Sequence, residues 1–308
     1  MDPFEDIISN MSVQSSLYMS MRCRAPWGIA FDTGPQARIL MIASGSCWMT
    51  SQGIAAVRLQ PSDCLVVKAG TEFSMSDEEG RELVHCSEIF TNVTGRSVEY
   101  GGGGDLVEMA SARLAFDPVA GEPLIALLPN IVHVRLAETD VQLLQATLKL
   151  IEMETSANGL GAGMVIGRLT DVLFVQVVRS WFASDGSRVP GWLAGLKNRK
   201  LASAIRAMHS DIARPWTVDS LARAAGLSRA SFAAAFREVT GETPLGYLTN
   251  WRMYHAKAML RAGLSLSEVA SGIGYDSDTA LSRAFKRTEG IPPGIWRGKA
   301  KMGELLEA

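Results

Sequence analysis

Hydrophobic and polar positions change period near residue 136. Before it, short apolar runs recur, rich in β-branched and aromatic residues: RILMIAS (38–44), AAVRL (55–59), CLVVKA (64–69), ELVHCSEIF (82–90) and SARLAF (111–116). Gly34-Pro35, Gly45, Gly53, Pro61, Gly70 and Gly80 punctuate them. Short runs separated by turn residues predict a sandwich or small barrel over 1–135. The tetraglycine 101–104 predicts a loop, since nothing there can pack.

Beyond residue 136 the spacing is helical. Over 140–157, apolar residues fall at 141, 143, 144, 148, 150, 151 and 153. Residues 159–163 form a glycine-rich break. The next helix, 164–183, carries Met164, Val165, Ile166, Leu169, Val172, Leu173, Phe174, Val177, Val178, Trp181 and Phe182. That stripe is wider than one buried face needs, so it predicts packing on two neighbours, within this chain or in a second subunit. The stretch 184–191, SDGSRVPG, reads as the start of an interdomain linker over 185–198. From 199 onward the pattern is helical throughout. The expected fold is α+β: a barrel over 1–135, a helical pair over 136–184, and an all-α domain over 199–308. A length of 308 residues accommodates two domains.

The last domain repeats internally. The stretch LARAAGLSRASFAAAFREVTGETPLGYL (221–248) matches VASGIGYDSDTALSRAFKRTEGIPPGIW (269–296). Ala222 and Gly226 correspond to Ala270 and Gly274; after the turn, Ser228, Phe232, Phe236, Gly241, Pro244 and Tyr247 correspond to Ser277, Leu281, Phe285, Gly290, Pro293 and Trp296. Each copy reads as a helix, a turn opening on a C-terminal glycine, a serine cap and a second helix with a buried i,i+4 pair. That is a helix-turn-helix, present twice. Between the copies, Thr243 and Pro244 start a helix running to about Ala262. Arg252 falls on its apolar stripe, which predicts a carboxylate partner. Such a connecting helix would place two recognition helices in successive major-groove segments, roughly 34 Å apart.

Charge follows the same division. Residues 1–198 hold 14 Lys+Arg against 22 Asp+Glu, a net of −8, whereas 199–308 hold 16 against 10, a net of +6. A basic unit beside an acidic one points to an anionic partner or to uneven surface charge. No apolar run reaches the length of a membrane helix, and the acidic start MDPFEDIISN lacks a signal-peptide core. Cys23, Cys47, Cys64 and Cys86 form no CxxC pair, which fits a reducing cytoplasm.

Residues 199–297 resemble the DNA-binding domain of the arabinose-regulator (AraC/XylS) family of transcription factors, through WTVDSLARAAGLSRASF, GETPLGYLTNWRM and GYDSDTALSRAFKRTEGIPPGIWR. The phrases APWGIAF, SGSCWM and FDP, with the 164–183 helix, resemble the cupin-type sensor domain of one branch of that family. The resemblance implies a cytoplasmic regulator, activator or repressor. Its expected partners are double-stranded DNA, a small-molecule effector in the barrel, a second copy of the chain and, for an activator, RNA polymerase. No membrane partner, cofactor or metal is expected.

With Phe232/Phe236 and Leu281/Phe285 buried, the outward positions follow. Arg229, Ala230, Ala233 and Ala234 face out from the first copy; Asp278, Thr279, Ser282 and Arg283 face out from the second. The second set can hydrogen-bond to base edges, and Arg283 can take a guanine bidentately. The first set is poorer, since relatives often place a long polar side chain where this chain has alanines. Direct readout is therefore assigned mainly to the second copy. Arg229, Arg237, Lys286 and Arg287 are the phosphate candidates.

Cupin enzymes hold a metal with several histidines, but only His85, His133, His209 and His255 are present. No HxH occurs, Phe73 stands at the histidine position of KAGTEF, and Leu40 stands where related sensors often carry histidine. That ligand count disfavours an enzyme. The effector-pocket candidates are Arg38 and Arg58 as polar anchors, with Leu40, Trp48 and Phe73 among the apolar walls; a filled barrel is the alternative. Two other readings stay open: a protein-interaction module that has lost specific DNA binding, and a metal-dependent cupin enzyme.

Overall fold

The computed structural model describes residues 4, 5, 8, 13–91, 97–117, 119–136, 138–157, 159–184 and 190–306. They form two compact units: 11–117 with 128–185, and 1–10 with 118–127 and 186–308. The strands are β1 (Val13–Arg24), β2 (Gly28–Asp32), β3 (Ala37–Ser44), β4 (Cys47–Ser51), β5 (Ile54–Leu59), β6 (Asp63–Val67), β7 (Glu72–Ser76), β8 (Val84–His85), β9 (Ser97–Gly101), β10 (Leu106–Phe116) and β11 (Ile131–Arg135). The helices are α1 (Cys86–Phe90), α2 (Glu122–Ile125), α3 (Glu138–Ala157), α4 (Ala162–Ser184), α5 (Gly191–Lys197), α6 (Arg199–Ser210), α7 (Val218–Ala224), α8 (Arg229–Thr240), α9 (Pro244–Arg261), α10 (Leu266–Gly272), α11 (Asp278–Glu289) and α12 (Pro293–Leu306).

In the first unit the strands form a six-stranded sheet, ordered β11-β6-β3-β10-β1-β9, and a five-stranded sheet, ordered β5-β4-β7-β2-β8. Their inner faces share one apolar core that includes Leu40 and Ile42 of β3, Cys47 and Met49 of β4, Met75 of β7 and Met109 of β10. Alternation selects these side chains, because successive strand residues point to opposite faces. Asp63 opens β6 with its side chain fully buried and accepts from Arg135 Nε at 3.1 Å and from the Gln60 N–H at 2.8 Å; His133 Nε2 lies 3.2 Å away. Burial alone would raise its pKa, but Arg135, the Gln60 amide and His133 together hold it below the usual carboxylate range.

Two local expectations change. The run 82–90 is a strand only at Val84–His85; His85 then caps α1, its Nδ1 accepting from the Ser87 N–H at 3.3 Å. The tetraglycine packs closely because it has no side chains. Gly101 ends β9 at φ +100°, and the N–H groups of Gly102 and Gly104 donate to the carbonyls of Arg24 and Ala25 at 2.8 and 2.9 Å. A Cβ at Gly101 or Gly102 would strike that backbone.

Helices α3 and α4 pack on each other and on β1, and α4 also on β11. Leu144, Leu148 and Ile151 of α3 are buried, as are Leu173, Phe174, Val177, Val178 and Trp181 of α4. Leu143, Leu150 and Met153 stay exposed, as do Met164, Val165 and Val172. The wide stripe is thus only partly covered within the described residues.

In the second unit, the stretch expected as linker is partly a packed helix. Residues 185–189 lie outside the described residues, but α5 buries Trp192 and Leu193. It fits because Gly195 brings its backbone against Ile205 of α6 and Thr240 of α8. Residues 118–127, expected in the barrel, group with the helices instead. The Pro123 carbonyl accepts from Trp192 Nε1 at 3.2 Å, and the Ala120 carbonyl accepts from Tyr254 Oη at 3.1 Å.

Candidate nucleic-acid interface

Both sequence repeats fold into the same motif. In the first, Thr217 and Ser220 form a capping box on α7, Gly226 turns the chain at φ +65°, and Ser228 caps α8. In the second, Ser265 and Glu268 form a capping box on α10, Gly274 turns at φ +78°, and Ser277 caps α11. Phe232 and Phe236 are fully buried, as are Leu281 and Phe285. Phe236 meets Tyr247 at 5.7 Å between ring centroids, and Phe285 meets Trp296 at 6.0 Å. The aromatic anchors correspond across the repeat as their spacing required. Gly241 and Gly290 end α8 and α11 in the left-handed conformation.

Burying those pairs turns the opposite faces outward. On α11, Asp278, Thr279, Arg283, Lys286 and Arg287 are exposed and Ser282 is half-buried. On α8, Arg229, Ala230, Ala234 and Arg237 are exposed and Ala233 is half-buried. Arg229 also pairs with Asp219 of α7 at 3.2 Å. The α8 face therefore offers mainly methyl groups, whereas α11 offers donors and acceptors from one helix turn to the next.

The two motifs are clamped together. Gly274 sits so close to the Ala213 backbone that a Cβ there would overlap it. Arg252 of α9 donates through Nε to the Ile212 carbonyl at 3.0 Å and through Nη2 to the Arg214 carbonyl at 2.9 Å. Its guanidinium also lies 5.6 Å from the ring centroid of Tyr275. The carboxylate expected for Arg252 is replaced by two backbone carbonyls just beyond the end of α6, of which that of Arg214 also accepts from the Trp216 N–H at 2.8 Å. Burial lowers the Arg252 pKa, and the nearby Tyr275 works in the opposite direction.

The family profile for Cupin matches residues 2–183, and that for a helix-turn-helix domain matches 221–299. A Streptomyces lividans protein described as an AraC-like transcription regulator is 32% identical over 96% of this chain and 98% of its own length. The chain belongs to the AraC-like transcription regulators. The AlkR transcriptional regulator of Acinetobacter baylyi is 29% identical over 93% of this AraC-like chain and 96% of its own length. The DNA-binding domain of AdpA, solved in complex with a target DNA, is 30% identical over 33% of this chain and 92% of its own, at a TM-score of 0.32.

In the barrel of this AraC-like regulator, the five pocket candidates separate by strand parity. Arg38, Leu40 and Phe73 are buried. Trp48 and Arg58 are register partners on the other face of β4 and β5, and Arg58 reaches Ser46 Oγ at 3.2 Å. Alternation thus removes these two from the interior. A basic residue that sequence reasoning missed, Arg113, lies directly across from Arg38 on β10. No local signal announces it, since the pairing spans 75 residues of chain and depends on register.

The histidines are placed by structural contacts. His85 caps α1, His133 faces Asp63, His209 bonds to Tyr247, and His255 packs edge-on against Trp251. Among the described residues, no three His, Cys, Asp or Glu side chains gather as a metal site. No described helix is long and apolar enough to cross a membrane.

Proposed function

We propose that this regulator reads DNA chiefly through α11, with Asp278, Thr279, Ser282 and Arg283 at base edges. The carrying observation is the contrast between the two outward faces: α11 presents a guanidinium, hydroxyls and a carboxylate, and α8 presents Ala230, Ala233 and Ala234. Polar groups discriminate bases by hydrogen bonding, whereas methyl groups recognise little beyond the thymine methyl. Arg229 and the alanines then position α8, and Arg237, Lys286 and Arg287 neutralise phosphates. The clamp at Gly274 and Arg252 supports simultaneous engagement of both motifs, because it holds them at one separation.

The barrel unit is the effector-binding part, and the exposed apolar rows of α3 and α4 are the contact with a second copy of the chain. Leu143 and Leu150, seven residues apart, and Val165 and Val172, likewise seven apart, each mark one helix face. The regulator works in the cytoplasm without catalysis; as an activator it would also contact RNA polymerase.

The test is selection of bound DNA from a random pool with the full-length protein and its Arg283→Ala variant. Enrichment of one asymmetric site by the wild type, with relaxed preference at one base for the variant, supports the reading. Absence of any enriched site favours a protein-interaction role for the helical repeat.

A further inference from the structure

Arg38 and Arg113 stand directly opposite one another across β3 and β10. Strand parity turns both toward the side that carries Leu40, Ile42 and Met109 into the barrel core. Like charges facing each other across a sheet are destabilising, and a buried charge without a counter-charge costs far more. Arg38 is only 3% exposed, and its Nε has no hydrogen-bond partner. Its other register partner, Val67, is apolar. The acid nearest along the chain, Asp32, accepts from the Gly34 N–H at 2.7 Å. Among the described residues no carboxylate pairs with Arg38 or Arg113. Burial pushes the Arg38 pKa down to about 10, Arg113 pushes it the same way, and the nearby Cys86 works in the opposite direction.

The surroundings complete a site. The Arg38 guanidinium lies 5.1 Å from the ring centroid of Phe31, and Phe31 stacks on Phe73 at 4.9 Å with 15° between planes. Buried Ser111 precedes Arg113 by two residues, on the same face of β10. The core beyond contains Met21, Met49, Met75 and Met109, whose flexible thioethers can repack around an entering group. Two guanidinium forks suit one planar carboxylate, and the ring stack suits an apolar body. A phosphate ester of a sugar would carry hydroxyls against Leu40, Val67 and Met109, which offer them nothing.

We propose that the barrel binds an organic carboxylate, its carboxyl group between Arg38 and Arg113 and its apolar body on the Phe31–Phe73 stack. This deepens the effector reading above and rests on it.

The test is thermal unfolding of the full-length protein and its Arg38→Gln and Arg113→Gln variants. Benzoate, octanoate, inorganic phosphate and neutral benzamide serve as probes in carboxylate-free buffer. Benzoate or octanoate is expected to raise the wild-type Tm by about 5 °C near saturation, with no shift from benzamide. Arg38→Gln is expected to lose that shift. Arg113→Gln, relieved of the facing cation, is expected to melt above the wild type without ligand and to lose most of the shift. Equal shifts with benzamide, or shifts surviving in Arg38→Gln, overturn the proposal. A shift from phosphate alone overturns the carboxylate assignment. The absence of any shift overturns the anion site, and DNA selection by the same preparation shows whether the regulator reading survives it.

Discussion

Lys257 of α9 pairs with Glu122, a residue 135 positions earlier in the chain. Its Nζ also lies 3.3 Å from Glu289, at the last turn of α11. Lys257 is buried, and these two carboxylates are the ion-pair partners that compensate its burial. One of them lies in the segment that connects β10 to β11; the other belongs to the proposed reading helix. Lys257→Met is expected to cost about 1–3 kcal/mol, discounted because Glu122 is half exposed. Urea unfolding checks the cost, and limited proteolysis near residue 120 checks whether the segment comes loose. A variant as stable and protease-resistant as the wild type would show that the pairs contribute nothing.

Gly226 and Gly274 occupy the same place in the two motifs, both with positive φ, yet only Gly274 meets backbone. Gly226→Ala is expected to cost about 1 kcal/mol, from strain alone. Gly274→Ala is expected to cost about 2–4 kcal/mol, because the chain must also shift away from Ala213. Equal costs in denaturant unfolding would mean that the contact between the motifs is not tight.

Arg283→Ala is expected to weaken binding to the selected DNA site by about 1–3 kcal/mol and to relax one base position. Lys286→Ala is expected to weaken all sequences alike and to flatten the salt dependence by about one unit of slope. Titrations at several salt concentrations separate the two behaviours. If Arg283→Ala also weakens every sequence equally, Arg283 is a phosphate contact.

The Asp63 carboxyl has a folded pKa below its unfolded value of about 3.9, so it stabilises the fold at higher pH. That contribution is present above about pH 4 and is lost as pH falls through the folded value. Asp63→Asn is expected to destabilise the barrel unit by about 1–2 kcal/mol at pH 7, discounted because Arg135 is largely exposed. The gap from wild type should narrow in unfolding measured at successively lower pH below about 4. A gap independent of pH would assign the loss to packing instead.

Leu150→Glu on α3 is expected to turn a dimer into a monomer while leaving the melting of the barrel unit nearly unchanged, since Leu150 is exposed. Sedimentation at micromolar concentration reads the outcome. A monomeric wild type would remove the α3–α4 face from consideration as an interface.

The helical repeat was legible in the sequence because its information is local. Gly226 and Gly274, Ser228 and Ser277, and the aromatic anchors act within a few residues of the helix ends and faces they determine. The outward sets on α8 and α11 follow from 3.6-residue periodicity once the buried pairs are known. The runs at 38–44, 55–59, 64–69 and 111–116 were legible as strands from β-branched composition and turn residues; 82–90 was not, because the His85 cap starts a helix, and β1, β2, β4, β7, β9 and β11 were not picked out.

Tertiary structure alone decided what depends on distant pairing. Arg252 found backbone carbonyls instead of a carboxylate because the chain leaving α6 happens to end beside α9. Residues 118–127 joined the helices because Tyr254, Lys257 and Trp192 hold them there. Arg58 and Trp48 face away from the barrel core, whereas Arg113 faces Arg38. Register sets all three positions, and a one-residue slip would reverse them. Periodicity states that a strand has two faces; only its paired neighbours state which face is inside and which charges meet there.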